Sequence, residues 1–225
     1  SVKKRKENTD LLYQKVAYYR GVEVFNARDF GYASELFEKS LNNPVDGKNE
    51  MQSLFWKAES LFELQKYDEA ISTYEDFLSY PGVAGLPIYK FSYYNLGYAY
   101  FQKENYPKAA EYFERYVNSS TADKKMAMDA TLRIGDCHFV SKNYEKALSQ
   151  YNKVIIAGAA GADYAIFQKA MIQGVQNKLN EKIYSLKSLQ ELYPNSSYID
   201  DGVYEMAYAN FVANNYEQAK SGFSD

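Results

Sequence analysis

Tyr93–Val117 reads YYNLGYAYFQKENYPKAAEYFERYV, and the fold follows from it. Apolar residues at helical spacing run through its first half, with Gly97 in their middle. A polar turn, Lys103-Glu104-Asn105, breaks the run, and a second helical run starts at Tyr106-Pro107. A glycine inside a helix costs about 1 kcal/mol relative to alanine, so Gly97 needs a packing reason. Two antiparallel helices supply one if they touch most closely at Gly97 and Ala109. Tyr93, Leu96, Tyr100, Tyr106 and Phe113 then fill the space around that contact.

The same unit recurs along the chain. Its marker is a small residue near the start of the second helix, preceded three residues earlier by an aromatic. Phe30/Ala33, Tyr67/Ala70, Tyr106/Ala109, Tyr144/Ala147 and Tyr216/Ala219 fit it, and Leu179/Lys182 is a weaker copy. The anchors are spaced by 37, 39, 38, 35 and 37 residues. Twelve residues before each stands another small residue: Gly21, Ala58, Gly97, Gly135, Ala170 and Ala207. Four residues after each comes a bulky one: Phe37, Tyr74, Phe113, Tyr151, Leu186 and Phe223. Self-similarity at this period predicts a stacked helical array.

The pattern resembles the tetratricopeptide repeat, a helix-pair motif of about 34 residues. The resemblance implies an all-α fold, a right-handed α-solenoid of about six antiparallel helix pairs. It implies one superhelical domain over 1–225, with repeats near 10–44, 48–81, 88–119, 123–157, 162–194 and 197–225. The family's proline after the second helix is echoed by Pro44, Pro81 and Pro194 and missing from the third and fourth copies. Its glycine in the turn within the repeat is replaced here by other residues. Leu189–Ala209 is similar to repeats of bacterial cell-envelope members, which points to the periplasm or envelope by resemblance. For function the resemblance is broad, because this scaffold serves many partners.

Composition agrees with an array. The chain has 225 residues, 46% apolar and 24% charged, with 24 Tyr and 13 Phe to fill a seam between neighbouring pairs. A net charge of −3 argues against a nucleic-acid surface. No run of 18 apolar residues exists to span a membrane. One cysteine, Cys137, excludes an internal disulfide framework. It adjoins the single histidine, His138, but neighbouring helical residues diverge and no second His or Cys completes a metal site. No cofactor, metal or catalytic group is expected, and His138 reads as core packing.

Other features read as structure. Val2–Lys6 is a basic lead-in, with the first helix expected from about Asp10 to Ala27. The Pro81–Pro87 and Ala157–Ala162 segments are glycine-containing links between repeats; no strand precedes them and no Lys-Ser/Thr follows, so neither cradles a phosphate. At the fifth anchor, Lys182 is expected to send its charge outward and to splay its helix pair. Asn118-Ser119-Ser120 and Asn195-Ser196-Ser197 match a glycosylation sequon and read as turns. Ser1 is not an initiator methionine and the last unit lacks a polar capping helix, so the natural chain is expected to be longer.

The resemblance also implies where a partner would sit. First helices of such pairs line the concave side of the superhelix, and three rows face it. The first is Tyr18, Phe55, Tyr94, Leu132, Phe167 and Tyr204. The second is Phe25, Phe62, Phe101, Phe139, Gly174 and Phe211. The third is Val22, Glu59, Tyr98, Asp136, Met171 and Tyr208. Within one helix these share a face. Two aromatic rows make a groove for a protein or peptide segment; they equally serve to pack adjacent pairs, so Glu59 and Asp136 in the third row discriminate better. The family's clamp for C-terminal carboxylates is excluded, since Tyr18, Val22, Tyr94 and Tyr98 stand where its cationic and amide residues would be. The leading expectation is a non-catalytic interaction scaffold. The alternatives are a structural part of an envelope assembly and an accessory region of a larger enzyme or signalling protein.

Overall fold

Helices form where the spacing places them, and the turn inside each pair is built the same way six times. The computed structural model describes residues 2–86, 88–119 and 122–223 and holds twelve α-helices among them, with no strand. The chain divides into two compact units, residues 1–119 and 120–225.

The first unit contains α1 (Val2–Asn26), α2 (Phe30–Leu41), α3 (Gly47–Glu63), α4 (Tyr67–Ser79), α5 (Tyr89–Gln102) and α6 (Tyr106–Val117). A single 3-10 turn, Val83–Gly85, sits in the link before α5. The second unit contains α7 (Lys124–Val140), α8 (Tyr144–Ile156), α9 (Ala162–Val175), α10 (Leu179–Leu192), α11 (Ile199–Val212) and α12 (Tyr216–Gly222). Within each unit, successive helices pack as antiparallel pairs, and each pair packs on the next. The fold class is therefore the all-α solenoid. One boundary differs from expectation: α1 begins at Val2, so the basic stretch lies in the helix and not ahead of it. Lys, Arg and Glu are good helix formers, and neither glycine nor proline interrupts the chain before Gly21.

In α5–α6, Glu104 takes the left-handed conformation at φ 56°. Its N–H donates to the Phe101 carbonyl at 2.9 Å, and the Asn105 N–H donates to the Tyr100 carbonyl at 2.9 Å. This Schellman pattern satisfies carbonyls that the helix end would leave open. Asn105 then caps α6, its side chain accepting from the Lys108 N–H. Arg28, Gln65, Lys142, Asn177 and Asn214 occupy the same left-handed place in the other pairs. The family's glycine is absent, but the geometry that favours it is retained.

The small anchors are buried inside their pairs, with one difference from expectation at the first small residue. Ala109 is fully buried, and so are Ala33, Ala70 and Ala147. The space over Gly97, however, is held by the Phe113 ring, whose Cδ1 would lie 2.6 Å from an added Cβ. Gly21 meets Phe37 and Gly135 meets Tyr151 in the same way, each at 2.7 Å. A flat ring lies directly on the facing backbone, which is why the first small residue and the bulky one sixteen later belong together.

Buried polar groups join neighbouring pairs. Gln14 of α1 is fully buried and accepts from the Asp46 N–H at 2.8 Å and the Val45 N–H at 3.2 Å. Ser40 donates to the Gln14 carbonyl at 3.1 Å, and Ser53 to the Ser40 hydroxyl at 2.9 Å. These bonds fix the link between the first two pairs through groups that cannot be left unsatisfied in a core.

Candidate partner-binding faces

The second row completes the turn inside five of the six pairs. Phe25 packs edge-on against Phe30, the residue opening α2, with centroids 5.2 Å apart. Phe62–Tyr67 and Phe101–Tyr106 lie at 5.5 Å, Phe211–Tyr216 at 5.8 Å and Phe139–Tyr144 at 6.1 Å. Edge-to-face pairs of this kind stabilise by roughly 0.5–1.5 kcal/mol beyond area burial. In the fifth pair Gly174 and Leu179 replace both rings.

The first row is largely internal. Tyr18 and Phe55 are buried, as is Leu132. Phe55 lies against Tyr74 and Phe77, and Tyr18 against Phe37. Tyr94 is half-buried on Tyr98 and Tyr116, and Phe167 is half-buried and stacked on Tyr198. Tyr204 is exposed and touches Phe223 edge-on.

The third row divides by chemistry. Glu59 accepts hydrogen bonds from the Tyr74 hydroxyl of α4 and the Asn95 amide of α5. Asp136, buried on α7, accepts from the Tyr151 hydroxyl at 2.8 Å and the Tyr164 hydroxyl at 3.0 Å, and pairs with Arg133. Each carboxylate thus ties its own second helix to the next first helix. Burial pushes the Glu59 carboxyl up to about 7, against the lowering effect of its two donors, while Glu63 adds to the rise. Burial raises Asp136 too, offset first by Arg133. Val22, Tyr98 and Met171 are half-buried and Tyr208 is exposed.

The sequence therefore placed eighteen residues on one type of helix face, and the structure sorts them. Tyr18, Phe55, Leu132 and Asp136 are spent inside, Glu59 is engaged by its neighbours, and Gly174 lies under the Lys182 stem. Phe25, Phe62, Phe101 and Phe139 close turns. The accessible ones are Val22, Tyr94 and Tyr98 in the first unit, with Phe167, Met171, Tyr204, Tyr208 and Phe211 in the second. The acid–tyrosine bond escaped the sequence reading, yet its signal is present. Only the second and fourth copies carry tyrosine four residues after the anchor, and only they carry an acid in the third row.

The fifth anchor corrects an expectation. Lys182 is buried and pairs with Glu205 of α11, so its charge goes to the next pair and not to solvent. Its stem lies over Gly174, where an added Cβ would come 3.2 Å from Lys182 Cδ. The missing side chain at 174 gives the lysine its path between α9 and α10. Cys137 is buried, and burial pushes its thiol up to about 12, which leaves it an inert core thiol. His138 is half-buried beside it.

A family model for the tetratricopeptide repeat matches residues 57–125 and again 94–164. Residues 57–164 are tetratricopeptide repeats. Solved structures of similar fold extend that likeness over most of the chain. RapI in its apo form is 16% identical at a TM-score of 0.77, covering 94% of this chain. The chain spans 62% of the length of RapI. The C-terminal part of a repeat-containing protein from Cytophaga hutchinsonii is 17% identical, with a TM-score of 0.74, over 94% of this chain and 81% of its own. YrrB, a TPR protein with an unusual peptide-binding site, is 19% identical, with a TM-score of 0.63, over 85% of this chain and 90% of its own. At these identities the likeness is one of fold. No curated protein matches the sequence.

Proposed function

We propose that this protein is a non-catalytic interaction scaffold that binds a partner segment on the first-helix face of each unit. The supporting observation is that apolar side chains on that face are left partly or wholly open. Val22 and Tyr98 in the first unit and Met171 and Tyr208 in the second remain accessible beside rings already fixed by internal packing. Aromatic side chains held rigidly with one edge toward water give large contact area at small entropic cost. YrrB, of the same fold, has an unusual peptide-binding site, which fits such a use.

The test is capture of a partner by the intact chain and by Tyr98→Glu and Tyr208→Glu variants of unchanged helicity. A partner retained by the parent chain and identified by mass spectrometry is expected to be lost from both variants. Retention of that partner by both would remove this face from the function.

A further inference from the structure

We infer that the hollow between the α9–α10 turn and α11 is a binding site for a tyrosine side chain of a partner segment, its phenol hydroxyl donating to Glu205. The inference rests on the reading of the protein as a partner-binding scaffold and names the chemistry that one place on it would select.

The comparison that carries it is internal. Between the first pair and α3, the corresponding space is filled by three rings. Phe25 packs on Phe30 at 5.2 Å and on Trp56 at 5.0 Å. The equivalent positions at the fifth pair are Gly174, Leu179 and Glu205, none of them aromatic. What remains is a hollow of about 420 Å³ lined by Met171, Gly174, Leu179, Lys182, Glu205 and Tyr208, among others. The Lys182 stem covers Gly174 without filling it.

The chemistry of the hollow is equally specific. Lys182 occupies Glu205 Oε2, and Oε1 has no hydrogen-bond partner among the described residues. The wall therefore offers one open acceptor beside apolar surface, which suits a donor carried on an apolar body. A lysine or arginine would bring a second cation against Lys182, and like charges at that range repel. A phenylalanine would cover the acceptor without satisfying it. A tyrosine meets both conditions, and this chain already pairs tyrosine with acid repeatedly. Tyr80 donates to Glu50 at 2.7 Å, Tyr100 to Glu75 at 2.7 Å and Tyr151 to Asp136 at 2.8 Å.

The experiment is an NMR titration of the full ¹⁵N-labelled chain with N-acetyl-tyrosinamide, N-acetyl-phenylalaninamide and N-acetyl-alaninamide. Saturable shifts are expected at Gly174, Val175 and Asn177 with the tyrosine probe. They should be about 5-fold weaker with phenylalanine, the worth of one hydrogen bond, and absent with alanine. Glu205→Gln should bring the tyrosine affinity toward that of phenylalanine. Gly174→Phe should abolish binding with helicity retained, since its Cβ meets only the flexible end of Lys182. Absence of a saturable shift, equal response to all three probes, or shifts confined to other helices would overturn the assignment. Tyrosinamide binding with partner capture insensitive to Tyr98→Glu but lost in Gly174→Phe supports this site and removes the wider reading. Capture lost in Tyr98→Glu with no tyrosinamide response removes this site alone.

Discussion

Glu59 and Tyr74 show what a single position in the repeat has to satisfy. Tyrosine at the bulky place carries a hydroxyl into the seam, where an unpaired polar group costs about 1–3 kcal/mol. Glu59 accepts that hydroxyl, and Asn95 of the next pair donates to the same carboxylate. The first pair solves the packing without polarity, through Val22 and Phe37 at the same two places. Converting the second pair to that form gives a direct test. Glu59→Val and Tyr74→Phe should each destabilise alone, and the double variant should recover about 1–3 kcal/mol of the summed loss in denaturant titrations. Strict additivity would show that the two side chains do not depend on each other. The carboxyl also makes stability depend on pH. Folding raises it from 4.5 to about 7, so the folded chain holds its proton more tightly than the unfolded one. That contribution is complete below about pH 4.5 and is lost as pH rises through about 7, a decline of ~3 kcal/mol at most. The groups facing it are Tyr74 from α4, Asn95 from α5 and Glu63 on its own helix, and none is a cation. Glu59→Gln should flatten this decline, measured as unfolding free energy against pH; an unchanged profile would place the titration elsewhere. Such couples are harder to read than the small residues, because Glu59 alone resembles a ligand contact and only its joint occurrence with Tyr74 shows the bond.

At the scale of the element, the turn within each pair shows why the repeat was legible in spite of its departures. The family's glycine is missing, but what the turn requires is a left-handed residue followed by a capping one. Asn105 and Asp29 supply the cap with side-chain bonds, whereas Lys66 and Lys178 make none. Periodicity alone located the helices because five of the six second helices restart on an aromatic that packs on the first helix of its own pair. The start of α1 was misplaced because its first turns carry charge and no apolar stripe, so the helix there rests on propensity. Lys182 was misread for a related reason: its partner lies in the next pair, outside the span that a helix-by-helix reading compares. The turn supports a stability prediction. Glu104 sits at φ 56°, where an L-residue is disfavoured and glycine is not. Glu104→Gly should therefore stabilise the chain by about 0.5–1 kcal/mol in thermal or denaturant unfolding. Gln102→Gly, two residues earlier in the last helical turn, should destabilise by about 1 kcal/mol. The same sign for both would mean that the turn is not held in the left-handed form.

On the scale of the molecule, stability is distributed through a series of local seams. Each pair in the first unit buries its faces on its neighbours in sequence order, so no single central core unites α1 with α6. The sequence reads as one array over 1–225, because the repeat register continues through residues 118–123, while the contacts divide the chain at 119. Register is a local property of spacing, and it does not report how strongly one pair holds the next. In such an array a local injury should fade with distance along the chain, as nearest-neighbour coupling requires. Gly21 offers a clean injury, since a Cβ there would stand 2.7 Å from Phe37 Cε1 and the ring has the facing helix behind it. Gly21→Leu should cost about 1–3 kcal/mol by overpacking the first seam. Native-state hydrogen exchange should show protection falling most in α1 and α2, less in α3 and α4, and least in α5 and α6. The Gln14 bonds to Val45 and Asp46 are one tie between the first two pairs, beside the Ser53–Ser40 bond and the Phe25–Trp56 contact. Gln14→Leu, which removes them, should confine the effect of Gly21→Leu more closely to α1 and α2. An equal loss of protection across all six helices of the unit would instead mean that it melts as one cooperative body, and seam-by-seam stacking would then not describe its energetics.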